Sequence, residues 1–116
     1  MTEFRLPFPP SVNEMYVTNK SGRGRGRYPS DEYKAWKDHA AWELNAQKAK
    51  TFHGRAIVHI DLDDTRQGDC DNRAKAVLDI LVKTKVLTGD SKRHVKRVSI
   101  GWEKITGCRV AIVGAE

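Results

Sequence analysis

Five charged side chains between residues 69 and 90 have the types and spacing that could do hydrolytic chemistry. Asp69 and Asp71 stand two residues apart, Lys75 and Asp79 follow at intervals of four, and Asp90 lies in a polar Thr-Gly-Asp-Ser turn. Positions i, i+4 and i+8 share one helical stripe, so the spacing from Asp71 to Asp79 predicts a charged stripe on a helix. Mg²⁺ is held by a few carboxylates, waters and substrate phosphate, so Asp69, Asp71 and Asp90 could converge on this ion.

A structural interpretation fits the same residues. An Asp at a helix start caps free N–H groups and suits the helix dipole, and i,i+4 ion pairs are common on solvated faces. Spacing alone does not choose between this interpretation and a metal site. On either interpretation the helix is anchored through its other side, because Ala74, Val77, Leu78 and Leu81 recur at i, i+3, i+4 and i+7.

The whole pattern resembles a known family. Asp-x-Asp-Asn-x-x-Lys-x-x-x-Asp at residues 69–79, followed by Gly-Asp at 89–90, is similar to the core of the RusA family of Holliday junction resolvases. Pro-Pro-Ser-Val-Asn at residues 9–13 resembles that family's Pro-Pro-Ser-x-Asn start. The chain departs from the family in having Gly89-Asp90 where an acidic pair is frequent, and a less basic run at residues 64–68.

The resemblance implies an activity and a set of site residues. It implies a Mg²⁺-dependent endodeoxyribonuclease, with Mn²⁺ as a substitute, that resolves four-way DNA junctions in recombination and repair. In the family three aspartates bind the metal and a lysine acts beside them, and the matching positions are Asp69, Asp71, Asp90 and Lys75. Two symmetric cuts by a chain with one site imply a homodimer. Two alternatives remain: a non-catalytic nucleic-acid-binding module, and a metal-dependent nuclease that acts on flap or single-stranded DNA.

Composition favours one basic domain. The 116 residues suit a single domain over residues 1–116, and 21 Lys plus Arg against 15 Asp plus Glu give a net charge of +6. Such a surplus favours a polyanionic partner. The sequence has neither a secretory signal nor a long apolar run, so we expect no membrane association and a cytoplasmic location.

Two basic segments are predicted to contact DNA. Arg23, Arg25 and Arg27 alternate with glycine in a loop at about residues 19–29, where no apolar period exists and a flexible segment is expected. Lys92 and Arg93 open a basic run that begins two residues after Asp90. Arginine and lysine side chains of this kind suit phosphate contacts, which position DNA without reading its sequence.

Apolar periodicity predicts an α+β domain, a small mixed β-sheet with two helices packed on it, in the order β-α-β-α-β-β. A first strand stopped by Pro9-Pro10 should lie at a sheet edge. The first long helix should run from about Ser30 to Lys48, with both Trp36 and Trp42 as packing residues. The last two strands, around Val98 to Trp102 and Cys108 to Ile112, flank a Thr-Gly turn and predict a hairpin.

Overall fold

Strands and helices form where apolar side chains recur with the matching period. The computed structural model describes residues 2–18 and 27–115, without the side chains of Thr18 and Arg27. The elements in chain order are β1 (Thr2–Leu6), α1 (Val12–Met15), β2 (Tyr16–Thr18), β3 (Arg27–Pro29), α2 (Asp31–Ala46), β4 (Ala56–Asp63), a 3₁₀ turn (Asp71–Arg73), α3 (Ala74–Lys83), β5 (Val95–Glu103) and β6 (Cys108–Gly114). The predicted α+β class is confirmed, and the four long strands and two long helices follow one another as predicted.

The main sheet is mixed and has the order β1-β6-β4-β5. Strand β4 pairs in parallel with β5 and antiparallel with β6, and β6 pairs antiparallel with β1. The predicted edge position of β1 is therefore confirmed. Strand β4 is central in the sheet, with β6 on one side and β5 on the other, and alternate side chains along it are fully buried.

The predicted hairpin is wrong, because β4 lies between β5 and β6. The short connection between those two strands crosses the end of β4 instead of folding back on itself. Asp63 holds this crossing: its N–H donates to the Gly107 carbonyl at 3.0 Å, and its Oδ2 accepts from the Gly107 N–H at 3.1 Å. Gly107 has a φ of +74°, which glycine adopts without strain. A glycine turn between two apolar strands thus made a crossover resemble a hairpin.

Helices α2 and α3 supply side chains to a single core with the sheet. The face of α2 predicted to be apolar is buried, at Tyr33, Trp36, Ala40 and Leu44. Trp42 is 65% exposed, so its predicted packing role is wrong. It lies six positions after Trp36, which at 100° per residue places it off the buried stripe. Within the described ranges, no helix has the length and apolar character needed to cross a bilayer.

A short helix and a two-stranded sheet add to the predicted elements. Strands β2 and β3 pair antiparallel, so the loop predicted to extend to residue 29 instead gives way to a strand at Arg27. Ser30 then caps α2: its Oγ accepts from the Tyr33 N–H at 3.1 Å and donates to the Glu14 carbonyl at 2.6 Å. This cap ties the start of α2 to α1.

Candidate active site

The chain leaves β4 in a segment that we call the aspartate loop (residues 64–71). Asp69 and Asp71 are exposed, whereas Cys70 between them is half-buried and its Sγ lies 3.8 Å from the Ile100 carbonyl of β5. Neither aspartate has an ion pair or a hydrogen bond to its side chain from any described residue. With Cys70 directed inward, the carboxylates on either side of it face solvent and are unpaired as far as the described residues go.

Arg73 fastens the aspartate loop to the N-terminal segment. Its guanidinium donates from Nη1 to the Pro9 carbonyl at 2.7 Å and from Nη2 to the Gln67 carbonyl at 3.1 Å. Its Cζ lies 4.6 Å from the centroid of the Phe8 ring, and the residue is only 7% exposed. Gly68 has a φ of +112°, and a Cβ there would lie 2.7 Å from Nη2 of Arg73.

The sequence interpretation assigned no role to Arg73. Its partners lie six and 64 positions away, and no helical or strand period connects residues at such separations. The surrounding sequence, Asp-Asn-Arg-Ala-Lys at residues 71–75, is polar and gives no sign that this arginine is buried. Its burial shows that this side chain sets the path of the chain that carries Asp69 and Asp71.

Lys75 lies within the first turn of α3 and is half exposed. Its Nζ pairs with Asp79 Oδ2 at 3.5 Å, whereas no described residue, Lys75 included, pairs with Asp71. Of the predicted stripe Asp71–Lys75–Asp79, only Lys75 and Asp79 form an ion pair among the described residues. The 3₁₀ turn at residues 71–73 separates Asp71 from the regular part of the helix.

Asp79 also receives a hydrogen bond from α2. The Tyr33 hydroxyl donates to Asp79 Oδ2 at 3.1 Å, so one carboxylate oxygen faces both the phenol and the ammonium of Lys75. Burial, with the Asp79 charge second, raises the pKa of Tyr33 far above its usual value. Tyr33 is therefore protonated at neutral pH and can donate to Asp79.

Helix α3 separates Asp90 from the aspartate loop. Ala74 begins the helix after the 3₁₀ turn that ends the aspartate loop. Leu81 lies seven residues further, roughly 10 Å along the axis at 1.5 Å per residue. The Leu87 N–H donates to the Leu81 carbonyl at 3.0 Å. The segment that leads to Asp90 therefore leaves α3 near its final turn.

The sheet also separates Asp90 from the aspartate loop. The Ala56 N–H donates to the His94 carbonyl at 2.8 Å, which fixes the residues after Asp90 at the start of β4. The aspartate loop follows Asp63 at the other end of β4, roughly 23 Å away at 3.3 Å per residue. A single chain therefore does not bring Asp90 to Asp69 and Asp71. In the described part of the chain, no group of three or more His, Cys, Asp or Glu side chains is arranged to hold a metal ion.

His94 supports the turn that carries Asp90. Its Nδ1 lies 3.0 Å from Thr88 Oγ1, and a Cβ at Gly89 would collide with its imidazole ring. A side chain at position 89, where the similar family often has an acid, would therefore require the imidazole to shift. Asp90 itself is exposed, as are Asp69 and Asp71.

The predicted DNA-binding residues fall into two groups. Lys92 and Arg93 are exposed beside Asp90. Arg23 and Arg25 lie outside the described residues, and Arg27 is described only through its backbone, at the start of β3. Their predicted phosphate contacts stay predictions.

A cleft of about 330 Å³ adjoins the aspartate loop. Pro9, Pro10 and Trp36 form apolar parts of its lining, and Arg66 and Arg73 contribute guanidinium groups. The cleft therefore lies where the N-terminal segment, α2 and the aspartate loop meet.

The chain matches the model of a known protein family. The family described as Endodeoxyribonuclease RusA matches residues 7–113 of the 116-residue chain. This range contains the aspartate loop, Lys75 and Asp90. No curated protein matches the chain.

Proposed function

The chain belongs to the RusA family of endodeoxyribonucleases, and we propose that it resolves four-way DNA junctions by Mg²⁺-dependent hydrolysis of phosphodiester bonds. The observation that carries this proposal is the pair of exposed carboxylates, Asp69 and Asp71, which have no partner among the described residues. Exposed carboxylates on one loop have the hard oxygen ligands that Mg²⁺ prefers, and Lys75 follows within one helical turn.

The side chains present fit Mg²⁺ in chemistry. Carboxylate oxygens are hard ligands, and Mg²⁺ keeps several waters while binding one or two carboxylates and substrate phosphate. Asp69 and Asp71 would hold the ion on the aspartate loop, with Mn²⁺ as a substitute. When bound, the metal supplies polarisation of a phosphoryl oxygen and activation of a water.

The protein side chains orient the substrate and stabilise charge. The Arg73 clamp on the Pro9 and Gln67 carbonyls holds the aspartate loop in one path, so both carboxylates keep their positions when DNA arrives. Lys75 adds a positive charge one helical turn later. This ammonium would stabilise the negative charge that accumulates on phosphate oxygens in the transition state.

A homodimer accounts for Asp90. Because one chain places Asp90 beyond the far end of α3, the three aspartates can share a metal only if a second copy supplies Asp90. A two-fold dimer would do this twice, and would present two sites for the two cuts that a junction requires. Lys92 and Arg93, beside Asp90, would then carry positive charge to the same place.

The arginines of the Gly-Arg segment serve positioning in this proposal. Arg23, Arg25 and Arg27 would contact backbone phosphates, so their joint replacement by alanine should lower junction affinity and reduce its salt slope by roughly 0.9 per lost contact.

The substrate comparison tests the proposed function. A synthetic four-way junction, a duplex of the same sequence and a flap are each incubated with the protein in Mg²⁺ or EDTA. We expect cutting of the junction, in Mg²⁺ alone, at positions related by two-fold symmetry. Equal cutting of the flap would favour the general nuclease, and binding without cutting would favour the binding module.

A further inference from the structure

We infer that Asp79 and Tyr33 are positioning residues for Lys75, an inference that rests on the proposed function. Asp79 Oδ2 lies 3.5 Å from Lys75 Nζ and 3.1 Å from the Tyr33 hydroxyl. The three side chains thus form a chain of contacts that starts in the core and ends at the exposed ammonium. Nothing in the spacing of the sequence connects Tyr33 to this site, because it lies 46 positions before Asp79.

Tyr33 is the fixed end of this chain. It is 2% exposed, stacks on Trp36 with ring centroids 6.4 Å apart, and meets the Tyr16 ring edge-on at 5.8 Å. Its own N–H is bound by the Ser30 cap. A ring packed on two sides at the first turn of α2 places its hydroxyl at a constant position.

Asp79 transfers this constraint to Lys75. An exposed i,i+4 ion pair by itself contributes little and leaves both side chains free to rotate. Here the tyrosine hydroxyl fixes the acceptor, and the carboxylate is 28% exposed. An ammonium has three donors, so Lys75 can keep one on Asp79 while two remain for phosphate oxygens. The contact with Asp79 therefore restricts the positions of the Lys75 ammonium and occupies one of its three donors.

Variants at three positions test this role. Asp79→Asn removes the charge that holds Lys75, Tyr33→Phe removes the hydroxyl that holds Asp79, and Lys75→Met removes the ammonium. Glu43→Gln is the matched control, because Glu43 pairs with His39 in an i,i+4 relation at 3.5 Å with similar exposure and lies on α2 away from the aspartate loop. Circular dichroism establishes that each variant is folded.

The kinetic test is single-turnover cutting of a four-way junction at saturating protein. We expect Asp79→Asn to slow cutting by about 10- to 100-fold, the effect of misplacing a catalytic group, and Tyr33→Phe to slow it by a smaller factor. Junction affinity should stay within about threefold, since positioning acts in the transition state. In the Lys75→Met background, Asp79→Asn should have no further effect, because Asp79 acts through that ammonium.

Three results would overturn the inference. Asp79→Asn could cut the junction at the wild-type rate, or it could slow cutting as much in the Lys75→Met background as in the wild-type background. The third is that Glu43→Gln slows cutting as much as Asp79→Asn does. A readout without cleavage keeps the inference separate from the proposed function. In the free protein, ¹³C relaxation should show that the Lys75 side chain becomes more mobile in Asp79→Asn and Tyr33→Phe but not in Glu43→Gln. If wild type cuts no DNA, the proposed function fails, and unchanged Lys75 relaxation alone decides against the positioning role.

Discussion

The Arg73 guanidinium donates to the Pro9 carbonyl oxygen at 2.7 Å, across 64 positions of the chain. This contact joins the two stretches on which the family resemblance rests, the Pro-Pro-Ser-Val-Asn segment and the aspartate loop. Both stretches therefore belong to one structural unit, in which the first supports the path of the second. The arrangement explains why an N-terminal turn that has no ionisable residue in its Pro-Pro-Ser-Val-Asn stretch accompanies the aspartate loop.

Replacing Arg73 should loosen this unit. Arg73→Met leaves the Pro9 and Gln67 carbonyls without a charged donor, and we expect the free energy of unfolding to fall by about 2–4 kcal/mol in urea titrations. Arg66→Met is the matched control. Arg66 also lies over the Phe8 ring, at 4.5 Å, but it is exposed and its guanidinium donates no hydrogen bond to any described residue. Its replacement should change the same free energy by less than about 0.5 kcal/mol, and equal losses would refute the clamp.

Gly68 should be sensitive to a single methyl group. Gly68→Ala places a Cβ against Nη2 of Arg73 and forces a positive φ on alanine. Gly54→Ala separates the two effects, because Gly54 has a φ of +95° with open space around its Cβ position. Both variants should lose about 1–3 kcal/mol of stability from backbone strain. We expect a clearly larger loss at Gly68, measured by urea unfolding, and the same loss at both sites would show that the Arg73 side chain simply moves away.

Asp63 should make stability depend on acidic pH. Hydrogen bonds from Thr65, at 2.6 Å from Oγ1 and 3.0 Å from the N–H, with a further bond from the Gly107 N–H, hold the pKa of this carboxyl below its usual value. A lowered folded-state pKa stabilises the protein above the unfolded-state pKa of about 3.9, and this stabilisation is lost as pH falls through the folded-state value.

The measurement compares urea midpoints of wild type and Asp63→Asn at pH 6 and at successively lower pH. We expect the variant to be less stable at pH 6 and the difference to shrink below about pH 4, where the unfolded carboxyl of wild type protonates. Asp64→Asn should follow wild type, because the Asp64 side chain is exposed and unpaired among described residues. A difference that grows on acidification would reverse the sign and reject this role of Asp63.

The sequence predicts those parts of the fold that follow from local periodicity. The buried stripe of α2 and the alternation along β4 repeat over many residues, and each is found where expected. The order of strands in the sheet depends on which partner β4 accepts on each side, which no short pattern encodes. The prediction that β5 and β6 form a hairpin was wrong for that reason.

In the candidate site too, the sequence predicts local relations but not contacts between distant residues. Asp69, Asp71 and Lys75 are neighbours in sequence, so their proximity follows from local structure. Arg73 and Tyr33 act through contacts with residues far along the chain, so their roles emerge only from the packed structure. In our proposal a second chain brings Asp90 to the other two aspartates. The spacing of residues within one chain cannot predict a contact between two chains.

Dimers that contain two different variants test whether a second copy of the chain supplies Asp90. If a second copy supplies Asp90, then Asp71→Asn and Asp90→Asn proteins are each inactive, whereas a mixed dimer has one intact site. Random mixing makes about half of all dimers mixed, so about a quarter of wild-type sites should return. The product should be a nicked junction, because one site makes one cut. If mixing restores no cutting although the subunits exchange, all three aspartates act within one chain.

The most direct test of the account is single-turnover cutting of a four-way junction by wild type, Asp69→Asn and Asp71→Asn, in Mg²⁺ and in EDTA. We predict that wild type cuts in Mg²⁺ alone and that each variant is slower by at least about 100-fold, as when one strong electrostatic contact is lost, while still binding the junction. Mg²⁺ should also raise the melting temperature of wild type but not of Asp71→Asn, since a ligand of the native state stabilises it. Cutting in EDTA, or wild-type rates in either variant, would contradict the account.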